Sequence, residues 1–124
     1  MEDLLPASPA SARRARRFVV EALHRLQWEG SADIAELLVS ELVTNAVLHA
    51  GTAVRLRVHA DRLSVRIEVV DASPAPVQRR RYGQEATTGR GLALVEALAT
   101  RWGSDVVSGG CKTVWFELDR TEVA

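Results

Sequence analysis

The chain has 124 residues, room for one compact domain with its own core and too little for two. Its 16 basic and 16 acidic side chains cancel, which leaves no excess positive field to hold a nucleic-acid backbone, while 47% apolar residues are enough to fold a globular core. No apolar run approaches the roughly 18 residues of a membrane span, the acidic start Met1-Glu2-Asp3 does not read as a signal peptide, and the single cysteine, Cys111, excludes an internal disulfide or a cysteine zinc site, so a cytoplasmic protein is expected.

Residues 1–7 read as an N-terminal tail. Ser8 and Pro9 form a helix start, and a helix from Pro9 to about Trp28 follows, with Ala15, Phe18, Val19, Ala22, Leu23 and Leu26 on one stripe. Arg13, Arg14 and Arg17 gather on its other side, as a solvated face or a docking or dimer surface. Gly30 closes this helix, and Ser31 with Asp33 opens a second that runs to about Ala50 and stops at Gly51. Two alternating segments then predict an antiparallel hairpin turning at Ala60-Asp61-Arg62, with Val54, Leu56 and Val58, then Leu63, Val65, Ile67 and Val69, pointing inward.

From Asp71 to Thr88 periodicity is lost, and Pro74, Pro76, an Arg79-Arg80-Arg81 run and Gly83 predict a loop longer than the usual limit of about 12–15 residues, a length typical of lids and binding loops. A third helix is expected from Gly89 to about Trp102, burying Leu94, Val95, Leu98 and Trp102, and then two strands, Ser104 to Val107 and Lys112 to Leu118, around Ser108-Gly109-Gly110. The order ααββαββ predicts an α+β two-layer sandwich, a mostly antiparallel mixed sheet with its helices on one face. The domain spans 8–120, with 121–124 as a C-terminal tail.

Three places carry chemistry. On the second helix Glu41 and Asn45 share a sector with Ile34, Leu38 and Leu48, at the centre of the expected apolar face, and His49 continues the line. An acid and an amide turned toward a core need partners, because an unpaired buried polar group costs about 2–7 kcal/mol. A polar network tying helix to sheet would supply them. Zinc suits the pattern less, since the spacing lacks a His-x-x-x-His pair. An oxygen-ligand Mg²⁺ site beside a general base is the third reading, because Mg²⁺ keeps most of its waters and takes phosphate oxygens.

The second place is Thr87-Thr88-Gly89-Arg90-Gly91-Leu92, where two glycines at a helix start let backbone N–H groups approach an anion; a plain turn is the alternative. It is not a Walker loop, as no Gly-Lys-Ser/Thr follows. The third is Asp71 at a strand end, which could initiate a turn or accept a hydrogen bond from a ligand amine. Of the 16 basic residues only Lys112 is a lysine.

Together these residues carry a resemblance. Glu41-Leu42-Val43-Thr44-Asn45-Ala46-Val47-Leu48-His49-Ala50 resembles the N box of the ATPase superfamily that unites DNA gyrase, the heat-shock chaperone, MutL and the sensor histidine kinases, in the form closest to the bacterial anti-sigma-factor serine kinases. The Asp71 turn and Thr88-Gly89-Arg90-Gly91-Leu92 resemble the two glycine boxes that follow it, so the likeness covers about residues 8–118. It implies a Bergerat ATP-binding fold with ATP and Mg²⁺ as cofactors. Glu41 corresponds to the general base and Asn45 to the Mg²⁺ ligand. Asp71 corresponds to the acceptor for the adenine amino group, with Thr113 supporting it. Thr88, Gly89, Arg90, Gly91 and Leu92 correspond to the phosphate box, and 78–88 to the ATP lid.

The resemblance implies an anti-sigma regulatory factor that phosphorylates a serine on a STAS-like antagonist and controls transcription by partner switching, with a sigma factor and that antagonist as partners and a homodimer as a further state. Three positions depart from the pattern. Asp71-Ala72-Ser73-Pro74-Ala75 stands where many relatives have Asp-x-Gly-x-Gly; Thr87 stands where the anti-sigma kinases carry an Arg; and only Leu4 and Leu5 precede Pro6 where those kinases have an N-terminal strand. Thr87 motivates a second expectation, an ATP-gated protein-binding module with little or no kinase turnover. A histidine-kinase catalytic domain acting on a separate phosphoacceptor is a third, disfavoured by the Asp71 turn.

Overall fold

A computed structural model describes residues 1–28, 30, 32–72, 85–107 and 110–120, with the side chains of all but 85–91 and 107. In chain order the elements are β1 (Glu2–Leu5), α1 (Ser11–Arg25), α2 (Ala32–His49), β2 (Val54–Ala60), β3 (Ser64–Asp71), α3 (Glu85–Leu98), β4 (Arg101–Val107) and β5 (Cys111–Asp119). The strands make one sheet in the order β1-β2-β3-β5-β4, and every neighbouring pair is antiparallel. The α+β sandwich stands, with two corrections: the described sheet contains no parallel pair, and the stretch expected as a tail contains β1.

Alternation explains the layering. Directly paired residues of an antiparallel sheet point to the same side, so the rungs Val58–Ile67–Phe116 and Leu56–Val69–Val114 line one face. Against them pack Val19 and Leu23 of α1, Leu38, Leu42 and Val43 of α2, and Leu92 and Val95 of α3, all buried. β1 exists because Leu5 adds a fully buried side chain opposite Val54, and because the fork of Arg14 on α1 grips the Asp3 carboxylate at 2.9 and 3.1 Å.

Helix boundaries shift for local reasons. α1 ends at Arg25 and not at Trp28, because Gln27 turns left-handed (φ 57). The Gln27 and Trp28 N–H groups then bond back to the His24 and Leu23 carbonyls at 3.1 and 2.9 Å, a Schellman closure that tucks Trp28 into the core. Ser8 does not cap α1: its hydroxyl accepts from the Ala10 N–H, and the helix starts at Ser11. Gly51 (φ +66) stops α2 as expected, its N–H bonding to the Ala46 carbonyl.

The hairpin turn lies one residue later than expected. One Asp61 carboxylate oxygen accepts the Leu63 and Ser64 N–H groups, both at 2.8 Å, so Leu63 belongs to the turn and is 76% exposed instead of inward. α3 starts four residues before Gly89 and ends at Leu98, so Trp102 belongs to β4, paired with Phe116.

The outer face of the sheet is a charge lattice. Arg66 bonds Glu68 and Glu117, Arg101 bonds Glu117 and Asp119, and the Arg66 guanidinium lies 4.0 Å over the Trp115 ring. Trp115 rests on β4 at Gly103, where an added Cβ would meet the ring at 2.7 Å. Gly103→Ala is expected to displace that ring and destabilise the fold by about 1–3 kcal/mol, read as a lowered urea midpoint with an unchanged slope.

Arg101, and after it Arg66, holds the Glu117 carboxyl below its ordinary value of 4.5. A group whose acidity is strengthened by folding stabilises the fold above its unfolded pKa, and that stabilisation is lost as pH falls through the folded value. The stability gap between the parent and Glu117→Gln is therefore expected to stay level from pH 7 down to about 4.5 and to close below it, as urea unfolding at stepped pH would show.

Candidate functional site

Asp71 is the last residue of β3, paired with Val54 on one side and Lys112 on the other. It follows Val65, Ile67 and Val69 by steps of two, so its side chain lies on the helix face of the sheet, only 4% exposed. A carboxylate so placed requires compensation. Lys112 provides part of it, with Nζ 3.8 Å from Oδ2 and a side chain only 14% exposed. Directly after Asp71 the Ala72 N–H donates to the Thr52 hydroxyl at 3.3 Å, tying the end of β3 to the connection that leaves α2. The end of β3, the start of β5 and the C-terminal end of α2 therefore lie at one end of the sheet.

On α2, Glu41, Asn45 and His49 follow at intervals of four, on one line along the helix. Their setting corrects the expectation that they occupy the centre of the apolar face. That centre belongs to Ala35, Leu38, Val39, Leu42, Val43 and Ala46, all buried, whereas Glu41, Asn45 and Ile34 are half-buried on its flank and His49 and Leu48 are exposed, Leu48 by 60%. The reason is that α2 is covered from several sides, by α1, by α3 and by the sheet, which shifts the buried sector away from where a single apolar stripe would put it. Glu41 and Asp71 are both engaged by partners within the molecule.

Thr113 is not beside Asp71. It pairs with Val70 and with Asp105, which puts it on the outer face, while Lys112 holds the position next to the carboxylate. One residue of register exchanges the faces of a strand. The signal was available: stepping back by two from Phe116 and Val114 reaches Lys112.

Thr88, Gly89, Arg90, Gly91 and Leu92 all lie inside α3, whose first residue is Glu85, so the expected helix start at Gly89 is corrected. Leu92 is buried in the core. Of the expected lid, 78–84, with Arg79-Arg80-Arg81, fall outside the described residues, and 85–88 form the first turn of α3. Cys111 is half-buried, and alternation along β5 places it on the outer face with Thr113. An open groove of about 470 Å³ on the helical layer, lined by Arg13, Arg16, Arg17, Val20, His24 and Glu36 among others, contains none of these residues.

Among the described residues no three His, Cys, Asp or Glu side chains gather as a metal cage. A hard cation that brings phosphate oxygens and its own waters needs few protein ligands, and the amide oxygen of the half-buried Asn45 would suit one. The buried Asp71 carboxylate would likewise suit the amino group of a purine, as a hydrogen-bond acceptor.

No curated protein matches the chain. Among solved structures it is similar to the RsbU and RsbW domains of a Mycobacterium tuberculosis protein, with a TM-score of 0.71 and 23% sequence identity, over 100% of this chain and 33% of that one. This chain thus spans about a third of the solved chain it matches, and the likeness is one of fold. The described helices include none long and apolar enough to cross a membrane. Residues 5–118 match the family described as histidine kinase-like ATPase domain, whose members are built to bind ATP, and at that coverage the chain belongs to it.

Proposed function

We propose that the protein is an ATP- and Mg²⁺-dependent anti-sigma regulatory factor, which holds a sigma factor and phosphorylates a serine of a STAS-like antagonist, controlling transcription from the cytoplasm by exchange of partners. The observation that carries the nucleotide reading is the buried Asp71 carboxylate at the same end of the sheet as the α2 terminus, in a chain that matches the ATPase family almost throughout. The anti-sigma direction draws on the N box at Glu41 to Ala50 and on the RsbW domain named in the similar structure.

In this reading Asp71 accepts a hydrogen bond from the adenine amino group. Asn45 holds Mg²⁺ through its amide oxygen. The backbone around Thr88, Gly89, Arg90, Gly91 and Leu92 receives the phosphates, which requires the first turns of α3 to rearrange, because N–H groups inside a helix are already bonded. Two glycines in three residues make that segment the weakest part of the helix, at about 1 kcal/mol each relative to alanine. Glu41 takes the proton of the attacking serine hydroxyl. Mg²⁺ held by Asn45 would supply positive charge to the phosphates.

A specific residue favours a second reading. Thr87 supplies no positive charge where the kinases carry an Arg, and losing a cation from the terminal phosphate weakens transfer more than binding, which leaves an ATP-gated binding module. One experiment separates the two. The protein is titrated with ATP and MgCl₂ in a calorimeter, then incubated with γ-labelled ATP and a STAS-type antagonist from the same genome. Binding with phosphoserine on the antagonist supports the kinase, binding without product over many hours supports the module, and absence of ATP binding by the folded protein rejects both.

A further inference from the structure

The chain uses arginine at 15 of its 16 basic positions and lysine at one, and that lysine is the residue the fold sets against Asp71. Three observations bear on its role. Lys112 and Asp71 are direct partners in the β3–β5 register, so both side chains project on the helix face at the end of the sheet. Both are largely buried, in contrast to Arg101 on the outer face, whose side chain is about half exposed. And their separation of 3.8 Å is an ion pair longer than the about 2.7–2.9 Å of a charge-assisted hydrogen bond. The ammonium is thus near enough to neutralise the carboxylate, yet its three N–H donors are not committed to it at hydrogen-bond length.

We infer that Lys112 is a base-specificity residue of the proposed nucleotide site, reading the purine together with Asp71. This rests on the ATP reading above. Along the Watson–Crick edge adenine presents a donor, the 6-amino group, next to an acceptor, N1. A carboxylate and an ammonium held side by side present the complement, with Asp71 accepting from the amino group and a Lys112 N–H donating to N1. Guanine carries an acceptor at position 6 and a donor at position 1, so in the same pose each group meets its like. A buried polar group left facing its like rejects the wrong ligand far more strongly than a missing apolar contact does. Lysine suits the task better than arginine here, because a compact ammonium on a flexible stem can serve a carboxylate and a single ring nitrogen together, without the broad planar fork.

The test compares the affinities of the parent and Lys112→Met for ATP, for 1-deaza-ATP, in which N1 is replaced by C–H, and for GTP, all with MgCl₂. The parent is expected to bind ATP at least about tenfold more tightly than either analogue, and Lys112→Met to lose that margin by weakening ATP while leaving 1-deaza-ATP nearly unchanged. Equal binding of ATP and 1-deaza-ATP by the parent, GTP binding as tight as ATP, or a folded Lys112→Met that keeps the margin would each overturn the inference and leave the ATP reading standing. A parent that binds no ATP would overturn both. Should Lys112→Met fail to fold, Lys112→Ser, too short to reach the base, is measured in the same way.

Discussion

Glu41→Gln is expected to bind ATP within about threefold of the parent affinity and to transfer its terminal phosphate at least about 100-fold more slowly, the usual contribution of a positioned general base. The substitution keeps the size of the side chain and its capacity for hydrogen bonds, which matters because Glu41 is half-buried and engaged within the fold. What it removes is the ability to take a proton. A structural role for Glu41 predicts a different pattern, a lowered melting temperature with affinity and rate falling together. Calorimetric affinity beside single-turnover transfer to the antagonist distinguishes the two, and undiminished transfer by Glu41→Gln would remove the residue from the chemistry.

The second large effect is expected at Asn45. If its amide oxygen holds Mg²⁺, the parent should bind ATP at least tenfold more tightly with MgCl₂ than with EDTA, a difference of about 1.4 kcal/mol, and Asn45→Ala should bind equally weakly in both. A thermal-shift titration reports the same linkage. A ligand at 100 times its dissociation constant stabilises the folded state by about 2.7 kcal/mol, so the parent's melting temperature should climb with ATP and MgCl₂ together, whereas the variant's should be indifferent to the metal. Asn45 lies outside the buried centre of α2, so its truncation should cost little stability and leave the readout clean. Retention of the full metal effect by Asn45→Ala would send the search for the Mg²⁺ ligand elsewhere.

How far residues alone foretell this molecule depends on whether the governing interactions are local. The hairpin and the last strand alternate strictly, and an amphipathic pattern needs no knowledge of the partner, so β2, β3 and β5 are readable almost to the residue. β1 is not, because four residues with one buried leucine become a strand only by pairing with β2, about fifty positions away. The end of α1 was hidden for another reason: Gln27 adopts a left-handed backbone that glycine usually marks.

At the candidate site the residue types of the N box and the strand-end Asp71 stood out unaided, because an acid and an amide among apolar neighbours are conspicuous. Their depth did not. Whether Glu41 sits at the centre or the flank of a buried face depends on how many elements cover α2, which is tertiary information. The resemblance alone pairs Thr113 with Asp71, whereas alternation along β5 puts Lys112, and not Thr113, on the face of that carboxylate. Gly89 and Gly91 suggest a helix start, whereas α3 begins at Glu85 and runs through both.

β3 lies at the middle of the sheet, with two strands on either side. Elements so enclosed open only when the whole molecule unravels, while a glycine-containing helix such as α3 can loosen by itself at far lower cost. A nucleotide bridging the two would be gripped at its base by the last part of the structure to give way and at its phosphates by one of the first. Spent product could then leave through a small local loosening, and the carboxylate would stay in position for the next occupant.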